Sequence, residues 1–440
     1  MYKKTFYKSS PIPLQNFLVT IFSAVKQLIR ENSRVHKMEQ ELAKNEKSVS
    51  ALADYAESRL TAALENAVSS VPYYAGLKHD LNDFKYIDKT TVKNNSDKFT
   101  STAHKGVVIK GSTGGTTGMP LNISQSMESV EREQAFANRQ RKWAGFKKSD
   151  KRAWIRGDMI VPIEQAAPPF WRYSYFEDMI LLSSFHLTAD ALPLYIQAMV
   201  DYGVDVIQAY PSSVAMLAKY LKSVGEYYPG NIKSIITSSA SLSLDDRQII
   251  EERFCCKVFD WYGLFERVAA IANCEHGRYH VLTDYAHVEF LDVGDGRSEI
   301  VGTNFNNYLY PLIRYKTGDY VVLSKEKECP CGRVYPIVEK IEGRVADYVY
   351  STDKRKVFVL SQCVKGVAGV MGSQFFQDKH GEVKVNVVAG SDFSPVEERL
   401  LIQNVKDYLG AGMSVRINLV DSLQKSNSGK VRQAICSIGD

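Results

Sequence analysis

At 440 residues the chain exceeds what one hydrophobic core ordinarily supports, so a large domain plus a smaller one is expected. Hydrophobic residues make up 45% of it, which suits a globular protein, and a formal charge of +5 with both signs interspersed argues against a nucleic-acid partner. Seven cysteines, an odd number in a chain without a leader-like segment, point to reduced thiols and a cytoplasmic setting.

In chain order, the apolar run from Phe17 to Phe22 is broken by Lys26 and Gln27 and is too short to span a bilayer. It reads as the buried face of an amphipathic helix, with a peripheral membrane contact as the lesser alternative and no transmembrane segment expected. From Leu28 to Val68 apolar positions such as Leu42, Val49, Leu52, Leu60 and Leu64 are spaced for one helical face, an N-terminal helical layer. After Val107, β-branched runs alternate with helical stretches: strands at Ala153 to Ile155, Val204 to Ala209 and Ser234 to Thr237, helices at Ala189 to Asp201 and Ser213 to Val224. That alternation predicts α/β units with largely parallel strands. Val288 to Leu323 reads as shorter strands of a β-subdomain. Beyond Val345, strands at Val357 to Leu360, Val383 to Val388 and Val415 to Val420 with a helix from Pro395 to Leu409 make a separate small α+β domain.

The stretch GSTGGTTGMP, from Gly111 to Pro120, carries the clearest chemical signal. Glycines allow positive φ and close backbone approach, and short hydroxyl side chains donate to phosphate oxygens. It is not a Walker loop, since no Lys follows the last glycine and a strand rather than a helix follows the loop. A plain Gly/Ser/Thr hairpin is the competing reading.

Three further segments follow it: WYGLFER from Trp261, RYKTGD from Arg314 and GRVAD from Gly343, with NSGK ending at Lys430. In this order and spacing the chain resembles the adenylate-forming superfamily, and within it the phenylacetate–CoA ligase-like branch that includes ligase-like proteins of capsular polysaccharide biosynthesis. VPYYAGL from Val71, SSFHL from Ser183 and AYPSSVAMLAKYL from Ala209 are similar to that capsular branch. The resemblance implies a large N-terminal adenylation domain over 1–343 and a small mobile lid over 344–440. It implies ATP and Mg²⁺ as cofactors, with coenzyme A as acyl acceptor.

Residue by residue, the resemblance places ATP phosphates on Ser112, Thr113, Gly114, Gly115, Thr116, Thr117 and Gly118. It places the adenine near Ser239, Ala240, Ser241, Asp260, Trp261, Tyr262 and Gly263. Asp319 would accept both ribose hydroxyls with its two oxygens, a turn Asp after Gly318 being the bland reading. Arg344 and Asp347 match a hinge motif, although Ala346 stands where an acidic residue is frequent. Glu266 would hold Mg²⁺, against a surface carboxylate paired with Arg267. Phe265 replaces a hydroxyl residue of the pattern and removes one charge-assisted hydrogen bond, worth on the order of 2 kcal/mol. Lys430 would supply the cation nearest the reacting phosphate. The carboxylate pocket would draw on His186, Tyr210, Pro211 and Ser212, with Trp154 and Trp171 outside them.

Cys274, His280, Cys329 and Cys331 form a C-x5-H followed by C-P-C-G, and three thiolates with one imidazole would close a tetrahedral structural Zn²⁺ shell; two unrelated buried thiols are the alternative. The expected activity is ATP-dependent activation of a small carboxylic acid and acyl transfer to the coenzyme A thiol. Transfer to an amine or hydroxyl of a polysaccharide precursor is the alternative, and a nucleotide-binding scaffold is a further one. A homodimer is left open.

Overall fold

The computed structural model describes residue 2 and residues 5–113, 121–344, 348–357, 360–426 and 429–438, with the side chains of Gly343, Arg344 and Ser361 excepted. By internal contacts the chain divides into two compact units, one of Met1–Ala24, Lys147–Val258 and Val345–Asp440, the other of Val25–Phe146 and Phe259–Arg344.

The first unit is built on parallel strands. Arg152–Arg156 lies between Met179–Ser183 and Val206–Ala209, and Ser234–Ser238 lies beyond the latter, every one of these pairings parallel. The short strand Trp171–Ser174 closes the edge antiparallel to Met179–Ser183. Helices Leu192–Tyr202, Pro211–Ser223 and Leu244–Phe254 follow the strands, as the alternation predicts. Pro211 sits in the first turn of its helix, where its fixed φ and missing N–H cost nothing. The core gathers Ile155, Ile180, Ile207 and Ile235 from the strands with Met199, Leu217 and Ile250 from the helices.

The C-terminal segment of the same unit forms a four-stranded sheet in the order Ser414–Leu419, Glu382–Ala389, Val370–Gln377, Ala434–Cys436. Helix Pro395–Leu409 buries Leu401, Val405 and Leu409 in one core with Phe375, Val385 and Val387. Met371, Val388 and Leu423 from this segment join the core of the parallel strands.

The second unit is antiparallel. Its strands run in the order Ala286–Gly294, Arg297–Asn304, Tyr315–Leu323, Ile337–Arg344, Tyr279–Val281, Ala270–Asn273, and the last pairs with Trp261–Gly263. Its helices Ser33–Asn45, Val49–Ser70 and Met127–Trp143 are each N-capped by a side-chain oxygen, from Asn32, Ser48 and Ser126.

One expectation is corrected. The helix Ile12–Arg30 buries Gln15, Asn16, Val19 and Ser23, whereas Phe17 and Ile21 from the apolar run are exposed.

Candidate active site

In the first unit the parallel strands end at one edge, and their carboxyl ends present Gly157, Ser184, Tyr210 and Ser239 within one or two residues of the last strand position. Open α/β sheets bind ligands at such an edge. Ser239 adopts positive φ, 71°, and its Oγ accepts a hydrogen bond of 2.6 Å from Arg156 Nη2. Ala240 continues the bend and Ser241 follows it. The Arg156 guanidinium also lies 5.0 Å from the Trp154 ring and 5.4 Å from the Tyr210 ring, and burial holds its pKa down against the opposing pull of Tyr210 and Asp158. Nothing in the sequence marks Arg156, because an arginine before a glycine at a strand end is unremarkable until the neighbouring strands supply the rings.

His186 stacks on Phe170 with centroids 4.8 Å apart, and its Nδ1 meets Ser183 Oγ at 2.8 Å. Burial lowers its pKa, with the Lys425 charge adding to the effect. Pro211 is buried at the start of its helix and Ser212 half-buried beside it. Trp171 donates from Nε1 to the Tyr173 hydroxyl.

The turn that leads to Lys430 packs on this edge. Gly429 has φ +71°, and a Cβ there would stand 2.8 Å from Gly157 Cα, 2.9 Å from Ser184 Oγ and 3.1 Å from the Phe185 ring. Only glycine satisfies both the conformation and the approach. Gly429 N–H donates to Ser426 O, and Ser426 N–H to Lys430 O, so the Lys430 backbone is fixed. Lys425, at the base of the turn, donates from Nζ to the Ser184 carbonyl, and burial pushes its ammonium down to about 8. Lys425 is a second residue that the sequence reading missed.

In the second unit the Gly-rich hairpin is present: Val108–Ser112 pairs antiparallel with Asn122–Ser126. Thr113 and Leu121 close its neck, since Thr113 N–H donates to Leu121 O and Leu121 N–H to Thr113 Oγ1, both at 2.9 Å. Thr113 Oγ1 thus already accepts one backbone donor, and Ser112 is exposed in register with Asn122. Gly114 to Gly118 lie outside the described residues. A Cβ on Gly111 would fall 2.4 Å from the Phe265 ring, so the residue that departs from the family pattern packs against the base of the loop.

Glu266 is buried and accepts from the Tyr315 hydroxyl at 3.4 Å. Arg267 turns away at φ 58° and donates to Ser129 Oγ and Gln125 Oε1, which removes the surface pairing considered for Glu266. Asp319 is buried and accepts from the Tyr262 hydroxyl at 2.8 Å, while its own N–H donates to Thr317 Oγ1. Arg344 pairs with Asp319 in backbone register. Ala346 and Asp347 lie outside the described residues. On the strand Lys257–Gly263, Asp260 is buried and accepts from the Tyr279 hydroxyl at 3.2 Å. Trp261 is half-buried, and its Nε1 closes over Gly263.

The four metal candidates meet. Their ligand atoms all lie within 4.8 Å of one another; Cys274 Sγ is 3.6 Å from Cys329 Sγ, and Cys331 Sγ is 3.4 Å from His280 Nε2. Sulfur atoms at opposite ends of a tetrahedral edge around zinc are about 3.8 Å apart, given Zn–S bonds near 2.3 Å. The structure thus replaces the two-unrelated-thiols alternative with a four-donor cluster. Burial drives Cys329 up to about 12 and His280 down to about 4, which keeps the imidazole neutral, the form that ligates.

Comparisons with known proteins agree with this architecture. Residues 349–437 match the CapK C-terminal domain family. The Protein CapK of Staphylococcus aureus is 26% identical over 366 residues, covering 82% of this chain and 81% of that protein. A 2-hydroxyisobutyryl-CoA ligase in the postadenylation state, in complex with R3-HIB-AMP, superposes with a TM-score of 0.65 at 16% identity over 90% of this chain and 92% of that one. The same ligase with 2-HIB-AMP gives 0.62 at 16% identity over 86% and 88%.

Proposed function

We propose that the chain is a CapK-like member of the adenylate-forming superfamily and that it activates a carboxylic acid with ATP. A carboxylate oxygen attacks the α-phosphorus, the bond from that phosphorus to the bridging oxygen of pyrophosphate breaks, and an acyl-adenylate and pyrophosphate result. Lys430 stabilises negative charge at the α-phosphate, and Arg156 orients an anionic group at the strand ends. Asp319 takes the ribose hydroxyls, its carboxylate held in place by the Tyr262 phenol. Buried Glu266 is the group that would hold Mg²⁺, which supplies charge neutralisation on the phosphates.

The observation that carries this reading is the seating of the Gly429 turn on Gly157 and Ser184, beside Arg156, Tyr210 and Ser239 at one edge of parallel strands. It brings the segment with Lys430 to the place where an α/β sheet receives its ligand. Residues 344–440 act as the lid, and acyl transfer follows its reorientation. The acceptor is a thiol, coenzyme A being the acceptor named for the ligases of like fold. The likeness to CapK favours an amine or hydroxyl of a surface-polysaccharide precursor as the second reading. The four-donor cluster holds structural zinc, with no position left for water.

Exchange of labelled pyrophosphate into ATP, run with a panel of small acids, tests the first step. Acid-dependent exchange is the expected result; ATP binding without exchange for any acid favours a nucleotide-binding scaffold. Trapping the acyl group with coenzyme A against sugar amines then decides the acceptor.

A further inference from the structure

The helix Ile12–Arg30 is amphipathic in the opposite sense to a core helix. Its buried side is largely polar and committed to the protein, with Val19 joining the apolar cluster of Tyr7, Val161 and Leu181. Gln15 Oε1 accepts from Arg172 Nε, and Gln15 Nε2 donates to the carbonyls of Tyr7 and Ser10. Asn16 Oδ1 accepts from Tyr173 N–H, and Thr20 Oγ1 from Tyr175 N–H. Ser23 and Val19 are buried on the same side.

At 3.6 residues per turn, Phe17, Ile21, Val25 and Leu28 share the other side, where they are 58%, 46%, 49% and 74% exposed. A continuous exposed apolar row is a binding surface far more often than an accident of folding. Tyr175 and Phe176, in the turn whose backbone meets Thr20, add two exposed aromatic rings.

The charge of the segment selects the occupant. Residues 1–30 contain Lys3, Lys4, Lys8, Lys26 and Arg30 and no Asp or Glu, so they account for the entire formal charge of +5; the remainder of the chain is balanced. An apolar helical face in a basic, acid-free segment matches the interface of an anionic bilayer, where apolar side chains enter the acyl boundary and cations meet the headgroups. By length and composition the helix would suffice to cross a membrane, but Gln15, Asn16, Thr20 and Ser23 are held by the protein, so lipid cannot surround it.

We propose that the Phe17–Ile21–Val25–Leu28 face docks the protein onto an anionic lipid surface, with the helix lying in the plane of the interface. The proposal is independent of the adenylation reading and makes no use of it.

Co-sedimentation of the full chain with phosphatidylglycerol/phosphatidylcholine vesicles and with phosphatidylcholine vesicles tests it. Binding about tenfold stronger or more to the anionic vesicles, weakened by salt, is expected. Phe17→Ser/Ile21→Ser/Leu28→Ser should lose about tenfold or more of that binding with its thermal midpoint little changed, since all three side chains are about half or more exposed. Leu28→Glu alone, at the most exposed of the four positions, serves if the triple variant fails to fold. Failure to sediment with anionic vesicles, or wild-type binding by the folded variants, overturns the proposal. So does a dimer in sedimentation velocity that these substitutions dissociate in the absence of vesicle binding, which would give the face to a second copy of the chain.

Discussion

Where the parallel strands end, two cations have rings and carbonyls beside them, Arg156 near Trp154 and Tyr210 and Lys425 on the Ser184 carbonyl, with the Asp158 carboxylate held by the Trp154 indole. In the antiparallel unit the corresponding groups are carboxylates that face phenols, Tyr262 on Asp319 and Tyr315 on Glu266. Elsewhere in the antiparallel unit Arg139 and Asp284 show the contrasting use of charge, a bidentate pair at 2.6 and 3.1 Å, buried and capped by the Tyr335 hydroxyl. A bidentate pair neutralises both partners and serves the fold. Rings, carbonyls and phenols orient a charge, which suits groups proposed to act on a ligand.

The comparison breaks first, and with the largest effect, at Lys430. Removing a cation aimed at transition-state charge costs a rate factor of about a hundred to a thousand, so Lys430→Ala should nearly abolish acid-dependent pyrophosphate exchange while ATP affinity by calorimetry stays within a few-fold. Exchange within a few-fold of wild type would make Lys430 a solvated lysine on a well-packed turn.

In the antiparallel unit the thiol cluster is proposed as a tie rather than a reagent. Protein purified without chelators should carry near-stoichiometric zinc by elemental analysis, and Cys331→Ser should lose it and lower the thermal midpoint by roughly 5 °C or more. An equal midpoint in the metal-free variant would reduce the cluster to buried thiols.

Asp319 sharpens the carboxylate side. Asp319→Ala should weaken ATP binding by about tenfold with the fold retained, and Tyr262→Phe by only about threefold, because the phenol positions the carboxylate without touching the ribose. Equal affinities in calorimetry would sink the ribose assignment.

The smallest effect concerns Lys425, whose pKa burial depresses from 10.5 to about 8. Between those values the unfolded lysine keeps its proton and the folded one has released it, so its contribution to stability rises with pH across that window. Below about 8 the folded chain bears the full cost of the buried ammonium. Lys425→Met removes that cost, so the thermal midpoint of wild type relative to the variant should rise between pH 8 and 10. A difference that does not change with pH would mean that the ammonium is solvated.

The elements most legible in the sequence are those with local punctuation. Helix Pro395–Leu409 begins on Ser394 and Pro395 and stops at Gly410, and its expected bounds coincide with the observed ones. The parallel strands Arg152–Arg156, Val206–Ala209 and Ser234–Ser238 stand within a residue or two of the expected runs, because fully buried strands read as continuous β-branched segments, whereas Met179–Ser183, with one Ile and no Val or Thr, has no expected run. The helix Met127–Trp143 was not anticipated: its apolar positions are sparse, and beside Ala135, Phe136 and Trp143 it buries Glu131, Arg139 and Gln140, polar residues that a hydrophobic period does not detect. Arg156 and Lys425 escaped for a related reason. A cation becomes a site only through the rings or carbonyls that other strands bring to it.

The sequence by itself determined the order of the motifs, the alternation that makes parallel strands, and the thiol and imidazole types that tertiary structure gathers into one cluster. It also determined that Phe17, Ile21, Val25 and Leu28 share one helical face and Gln15, Asn16 and Ser23 another. Which face meets the protein was decided only in three dimensions. Periodicity sorts side chains around a helix axis but says nothing of what lies on either side. Here Arg172 and the backbone of Trp171–Ser174 offered hydrogen bonds to the polar face, and the apolar one was left to solvent.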